Sequence, residues 1–471
     1  MNKLAAAVPI VLGLAFPGRA EEVVLREALV IGPLDRQGRG ALHVDRVESQ
    51  IVHGELTWPT VGAQLTLASG ATATWQAAQA GDDGWIRHGA LGNGYAAIAV
   101  TSDRERMALL QASGHALVYV NGEPRVGDPY QYGYVSVPIV LRSGTNHLLF
   151  RCQRGGALLA RLVDPPAPVF IDARDATLPD LVVGESRDLL GALLVVNATT
   201  SMQEHLVLRA AGAAFPLPPI APLAWLKAPV SMRLQAPASE GMQAVIIEVG
   251  HVSDPEFLAA HSAAISLAIK QPSQVQKRTF VSAIDGSVQY YALNPCSVTG
   301  PAERPALVLS LHGAGVEATG QAAAYASKRW AHIVAPTNRR PYGFDWEDWG
   351  RLDALEVVDV AARGAGTDPA RVYLTGHSMG GHGTWQIGVL APDRFAALGP
   401  SAAWKQLPHL RRHGAQTASS VGRRGLRPRC GRKRHRIAAH ELCAARWLYP
   451  AWRCRRQRAS DRGAVAQEAA G

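Results

Sequence analysis

Little in this chain supports disulfide or metal chemistry. Its 471 residues include 5 cysteines. Cys152 and Cys296 stand far apart and are expected as free core thiols, while Cys430, Cys443 and Cys454 fall in an unusual C-terminal stretch. No C-x-x-C and no paired His/Cys spacing occurs, so no metal and no cofactor is expected. Long apolar runs are lacking as well. No stretch after the leader reaches about 18 uninterrupted apolar residues, so no membrane span is expected. No internal repeat of fixed period is visible.

Acidic residues are scarce in one place only. The net charge is +10, yet residues 408–471 carry 16 Lys/Arg against 3 Asp/Glu, and the rest of the chain holds 32 basic and 35 acidic residues. The basic character therefore belongs to the tail, and no nucleic-acid partner is expected for the domains before it. At the other end, Lys3, the apolar run Leu4 to Phe16 and Gly18-Arg19-Ala20 read as a signal peptide over residues 1–20, so the protein is expected to be secreted or periplasmic. Pro9 and Pro17 and the shortness of the run argue against a membrane anchor.

A chain of this length predicts two to four domains. Residues 21–164 show short alternating runs such as His115 to Val120 and Asn146 to Arg151, punctuated by Asn121-Gly122 and similar turns. This pattern predicts an antiparallel β-sandwich. The stretch Val118 to Glu123 followed by Val135 to Leu149 resembles jelly-roll accessory modules of galactose-binding type that accompany secreted enzymes. Tyr130, Tyr132 and Tyr134 either stack on the sugar rings of a polysaccharide or are half-buried sheet residues. Pro165-Pro166-Ala167-Pro168 marks a linker. Residues 179–270 again read as all-β, of a size for an immunoglobulin-like sandwich. The Asn197-Ala198-Thr199 sequon is taken as coincidental.

From Gln271 strands begin to alternate with helices. Arg278 to Ala283 and Ser287 to Leu293 read as a hairpin across Ile284-Asp285-Gly286. Pro305 to Leu311 and His332 to Pro336 read as buried strands, Ala322 to Lys328 and Leu352 to Ala362 as helices. The expected fold is thus multidomain: two N-terminal all-β sandwich domains, then an incomplete α/β domain over 271–407 with a mostly parallel sheet and helices on both faces. Within it, the strand Arg371 to Thr375 runs into Gly376-His377-Ser378-Met379-Gly380-Gly381 and a helical continuation. Strand, G-x-S-x-G, helix is the context of a nucleophile elbow. Ser378 is the candidate nucleophile. The Met379 N–H, opening the helix, is one candidate donor to a developing oxyanion. The second is sought in His312-Gly313-Ala314-Gly315, with Ala314 favoured and Gly313 next. His312 is expected to pack and hold its loop, and His377 and His382 are placed wrongly to act as the base.

These segments, with Trp346-Glu347-Asp348-Trp349-Gly350, Asp368 to Tyr373, His382-Gly383-Thr384-Trp385 and Pro392-Asp393-Arg394-Phe395, resemble the α/β-hydrolase domain of prolyl oligopeptidase-like and polyhydroxybutyrate-depolymerase-like secreted hydrolases. The resemblance runs from Pro305 to Trp404, about 100 residues, and implies a serine hydrolase acting on a peptide or ester substrate. Trp346, Asp348 and Trp349 either border the active-site mouth or form a packed aromatic loop. The fold requires the order Ser…Asp/Glu…His, yet after Trp404 no acid followed by a histidine is found: Asp461 and Glu468 stand too near the end. A shifted reading frame accounts for this. Tyr449 to Val465, back-translated with permitted codons and read one base later, gives TLHGDADDNVPVTEAR, similar to the HGDxD segment that carries the family's catalytic Asp. The competing reading of residues 408–471 is a natural basic tail for anionic surfaces. The chain as written is therefore expected to be an impaired serine hydrolase; the alternative is a secreted glycan- or polymer-binding protein with a degenerate hydrolase domain.

Overall fold

The computed structural model describes residues 22–34, 45–128, 131–152, 155–253, 256–297, 304–339 and 345–403. The leader, Tyr130, Trp404 and the basic tail lie outside the described residues. Among the described residues no helix is long and apolar enough to cross a membrane.

Alternating apolar residues over residues 22–163 build two antiparallel sheets facing one core. One sheet joins Glu22–Val24, Ala157–Val163, Arg106–Ser113 and Ser136–Leu141; the other joins Glu123–Val126, His115–Val120, Gly144–Cys152, Tyr95–Ser102, Glu27–Ile31 and Gln76–Gln79. Leu110, Ile139 and Leu162 from the first meet Ile98, Val118 and Phe150 from the second, all buried. Every second side chain of a strand points inward. Burial pushes the Cys152 thiol up to about 12, so it packs as a small apolar side chain.

A second sandwich follows. Its three-stranded sheet takes in Val169–Thr177, which precedes the expected boundary at 179, pairs it with Asp188–Asn197, and adds Ala224–Arg233. The facing sheet is dominated by the long hairpin Gly241–Ser253 and Glu256–Lys270. Asn197 is fully buried and its Nδ2 donates to the carbonyls of Ser201, Ile220 and Ala221. The sequon asparagine is thus an internal loop clamp that no glycan can reach while the domain is folded.

The third unit carries a six-stranded mixed sheet: β1 (Gln276–Val281), β2 (Val288–Asn294), β3 (Ala306–Leu311), β4 (Ala331–Pro336), β5 (Val372–His377) and β6 (Ala397–Ser401), in the order β1-β2-β4-β3-β5-β6. The β1–β2 hairpin and the β2–β4 pair are antiparallel; β4, β3, β5 and β6 run parallel. Three helices accompany the sheet: α1 (Ala318–Ala323), α2 (Trp349–Ala365) and α3 (Met379–Leu390). On β4, Val334 packs in the core shared with α2 and α3, and Ala335 packs against α1. Successive strand residues point to opposite faces, so helices cover both sides. Helix α1 begins four residues before the sequence pattern predicts, because the Glu317 carboxylate accepts the Thr319 N–H at 2.9 Å and caps it there. It ends early because Asn294 Nδ2 takes the carbonyls of Ala322 and Tyr325.

Candidate active site

The turn between β5 and α3 has no room for side chains. A Cβ on Gly376 would stand 2.2 Å from the Gly380 oxygen, one on Gly380 1.9 Å from the Leu311 oxygen, and one on Gly381 2.2 Å from the Ser401 oxygen. These approaches press the elbow against the ends of β3 and β6. Ser378, between them, takes φ 57° and ψ −116°. This is a backbone conformation that an L-residue adopts only when its surroundings enforce it. Its N–H donates to Ser401 O at 3.0 Å, and its own carbonyl accepts the first α3 bond from His382 N at 3.0 Å. Ser378 is half-exposed at the tip of the turn, while Met379 behind it is buried. As the first α3 residue, Met379 has an N–H with no acceptor within the helix.

The loop after β3 lies directly against this turn. A Cβ on Gly313 would come within 3.7 Å of the Ser378 Cβ and 3.4 Å of the His377 oxygen. Gly313 is buried, whereas Ala314, Gly315 and Val316 are exposed. His312 is buried with its two ring nitrogens at 3.0 and 3.2 Å from the Gly313 and Thr337 oxygens. Trp346, fully buried, completes the clamp: its Nε1 donates to His312 O at 3.1 Å and its ring meets the imidazole edge-on. Trp346 is therefore packing, and Gly383 on α3 leaves the space it fills. Trp349 and Asp348 are exposed on the same loop.

Beneath that loop lies a charge cluster that the sequence did not reveal. Arg339 and Asp353 are both buried, and the guanidinium reaches Asp353, Asp285 and Glu356 at 3.3, 2.9 and 3.2 Å. Asp353 also accepts the Asn338 N–H at 2.9 Å. Burial pushes its carboxyl up to about 6, against the opposing pull of Arg339. The only signal in the sequence was a set of charged residues on separate elements, with no spacing rule to join them.

Among the described residues, no histidine hydrogen-bonds the Ser378 hydroxyl. His377 Nδ1 lies 3.3 Å from Ser401 Oγ, and His382 Nε2 lies 3.4 Å from Glu347 Oε1. Among the described residues no cluster of three His, Cys, Asp or Glu side chains is arranged to hold a metal ion.

No known protein family matches the chain. It is similar to an uncharacterized secreted protein of Arthroderma benhamiae, 29% identical over 161 residues, which cover 30% of this chain and 17% of that protein. Among solved structures, it is similar to the S-formylglutathione hydrolase FrmB of Staphylococcus aureus, with 19% identity, 29% of this chain and 59% of that chain covered, and a TM-score of 0.24. The fluorophosphonate-binding serine hydrolase FphF of the same organism gives 18% identity, 31% and 64% coverage and a TM-score of 0.27. A thermostable esterase gives 15% identity, 50% and 76% coverage and a TM-score of 0.23. The chain thus spans less than two thirds of the length of the first two structures and about a sixth of the secreted relative.

Proposed function

We propose that the third unit is a serine hydrolase of the α/β-hydrolase type, acting on a carboxylic-ester or peptide carbonyl. The observation that carries this reading is the Ser378 backbone at φ 57°, ψ −116°, held at a strand–helix turn by glycines that admit no Cβ. Backbone strain of this kind clusters at active sites. The serine follows the fifth strand of the sheet and the glycine loop follows the third, the positions at which this fold builds its nucleophile and its second oxyanion donor.

In the reaction, Ser378 Oγ attacks the carbonyl carbon and the carbonyl oxygen becomes an anion. The N–H groups of Met379 and Ala314 hold that charge; Gly313, buried against Ser378, fixes the loop. Collapse of the intermediate expels the alcohol or amine and leaves an acyl-serine, which water then hydrolyses. Both steps need a base for the attacking proton and an acid for the leaving group. No described residue fills these roles, and residues 408–471 contain no acid followed by a histidine at the spacing this fold needs. This supports slow, residual chemistry from the oxyanion hole alone. A chain expressed from a 3′ reading frame that restores an acid followed by a histidine should regain turnover.

A fluorophosphonate probe tests the reading. The serine oxygen displaces fluoride and becomes phosphonylated, so labelling reports nucleophile and oxyanion hole together. The expected result is slow labelling of the full chain, mapped to Ser378 and lost in Ser378→Ala. Absence of labelling after prolonged exposure, with polymer binding intact, would instead favour a non-catalytic glycan binder.

A further inference from the structure

We propose that Trp346 is a positioning residue of the Ser378 site: its indole N–H, taken by the His312 carbonyl, sets the oxyanion loop at a fixed distance from the helix that follows the nucleophile. The role in the reaction rests on the hydrolase reading above; the hold on the loop does not.

Trp346 touches both halves of the site. On one side its side chain lodges against α3, where a Cβ on Gly383 would stand 2.5 Å from the Trp346 Cβ, Cγ and Cδ1. On the other side its Nε1 donates to His312 O at 3.1 Å, and its ring meets the imidazole edge-on with centroids 4.8 Å apart. The same carbonyl backs onto the elbow, 3.0 Å from where a Cβ on Gly380 would lie. The indole is wholly buried, and a hydrogen bond away from water is electrostatically stronger than one in solvent. The backbone that delivers the indole is constrained as well. Asp345, Trp346 and Asp348 take φ of 56°, 60° and 41°, values that residues other than glycine keep only where the surroundings enforce them.

In a planar trans peptide unit the carbonyl and the N–H point in opposite directions. The His312 carbonyl shares its unit with the Gly313 N–H, so the bond to Trp346 turns that N–H away from the indole. The next carbonyl, Gly313 O, faces His312 Nδ1 at 3.0 Å and accepts the Val316 N–H at 3.3 Å. It shares its unit with the Ala314 N–H, which is turned to the opposite side in the same way. Two successive peptide units are thus set through their carbonyls, the first by Trp346 directly and the second by the imidazole against which Trp346 packs. Gly313 lies where a Cβ would reach 3.7 Å from Ser378 Cβ. The other candidate donor, the Met379 N–H, opens the helix on which the indole rests. Trp346 therefore spans the two oxyanion donors, and their spacing depends on it. Such donors stabilise an oxyanion only when they are held at the position it will occupy.

The test uses the full chain and fluorophosphonate labelling of Ser378. Trp346→Phe keeps an aromatic ring on Gly383 and removes the indole N–H. It should label about tenfold more slowly than the wild type, a smaller loss than removal of a whole oxyanion donor, and should keep a cooperative unfolding transition in urea. Hydrogen exchange at Gly313 and Val316 should quicken about tenfold, while Leu307 and Leu309 on β3 stay protected. Labelling at the wild-type rate would overturn the proposal. So would a loss no larger than the unfolded fraction, because a tryptophan needed only for stability leaves the folded protein fully reactive. Should Trp346→Phe lose the native transition, Gly383→Ala decides in its place. It keeps the indole but drives a Cβ into it, which shifts it from the His312 carbonyl, and an unchanged labelling rate there would equally overturn the proposal. Absence of labelling in the wild type would defeat the hydrolase reading. Exchange at Gly313 and Val316 then decides alone whether Trp346 holds the loop, and unchanged exchange in Trp346→Phe would end that claim.

Discussion

Two buried aspartates each hold a loop, Asp353 in the third unit and Asp128 in the first sandwich, and they do so by opposite means. Asp353 sits beneath the Trp346–Trp349 loop and is held by a buried guanidinium. Asp128 sits beneath the Tyr132–Tyr134 loop and is held by two backbone N–H groups and a hydroxyl. A charge that depends on a counter-ion is secure only while the counter-ion remains, whereas a backbone amide donor survives any substitution other than proline. Even beside Arg339, burial raises the Asp353 carboxyl to about 6. The desolvation of Asp353 outweighs its attraction to the guanidinium, as expected for a pair taken wholly out of water.

Removing the counter-ion should therefore have the largest effect. Arg339→Met leaves Asp353 buried without its partner, and orphaned buried charges cost about 3–5 kcal/mol. The pH dependence identifies the cause. A carboxyl with a raised folded pKa favours the native state when protonated. Its contribution is complete below the unfolded value of about 3.9 and is lost as the pH rises through about 6. Without Arg339 the carboxyl should rise further, so the destabilisation should shrink in acid. Urea unfolding at pH 5 and pH 8 measures this, and an equal loss at both would show that packing, not charge, was removed.

The sheet and the elbow were legible in the sequence because their signals are local. An apolar strand, three obligatory glycines and a helical continuation lie within one short segment, and the Ser378 conformation follows from them. The Trp346–Trp349 loop was not legible, because its supports come from distant segments. Arg339 meets Asp285 on the β1–β2 turn and Glu356 on α2, and nothing in the spacing announces it. Trp346 read equally well as a mouth residue or as packing; only the space left by Gly383 decides for packing. Tyr132 and Tyr134 read more readily as half-buried sheet residues than as a sugar platform, and their mutual stacking outside the strands appears only once the loop folds.

A smaller effect is expected on the amide-held side, where the titrating group is a neighbour of the aspartate. His115 is buried beside Asp128, and burial lowers its pKa to about 4 although the carboxylate works against this. A histidine with a depressed folded pKa stabilises the native state above its unfolded value of about 6.5. That stability is lost as the pH falls towards about 4, a span worth about 3 kcal/mol. His115→Phe keeps an aromatic ring against Phe150 and should flatten the fall in urea midpoint between pH 7 and pH 4.5. A variant with the wild-type slope would place the acid sensitivity elsewhere.

The smallest effect should come from Asp128 itself, and it separates the two modes of support most directly. Asp128→Asn keeps one acceptor oxygen but turns an NH₂ group towards the Tyr132 or Gly133 N–H. One amide keeps its bond and the other faces a donor, a loss of about 1–2 kcal/mol rather than the penalty of an orphaned charge. The fold should survive while the tyrosine loop loosens. Hydrogen exchange at Tyr132 and Gly133 should accelerate about tenfold, with the amides of β3 and β5 unchanged. Unchanged exchange at both amides would mean that the turn geometry at Gln131 and Gly133 holds the rings without the carboxylate. In that case the likeness between the two aspartates would end at their burial.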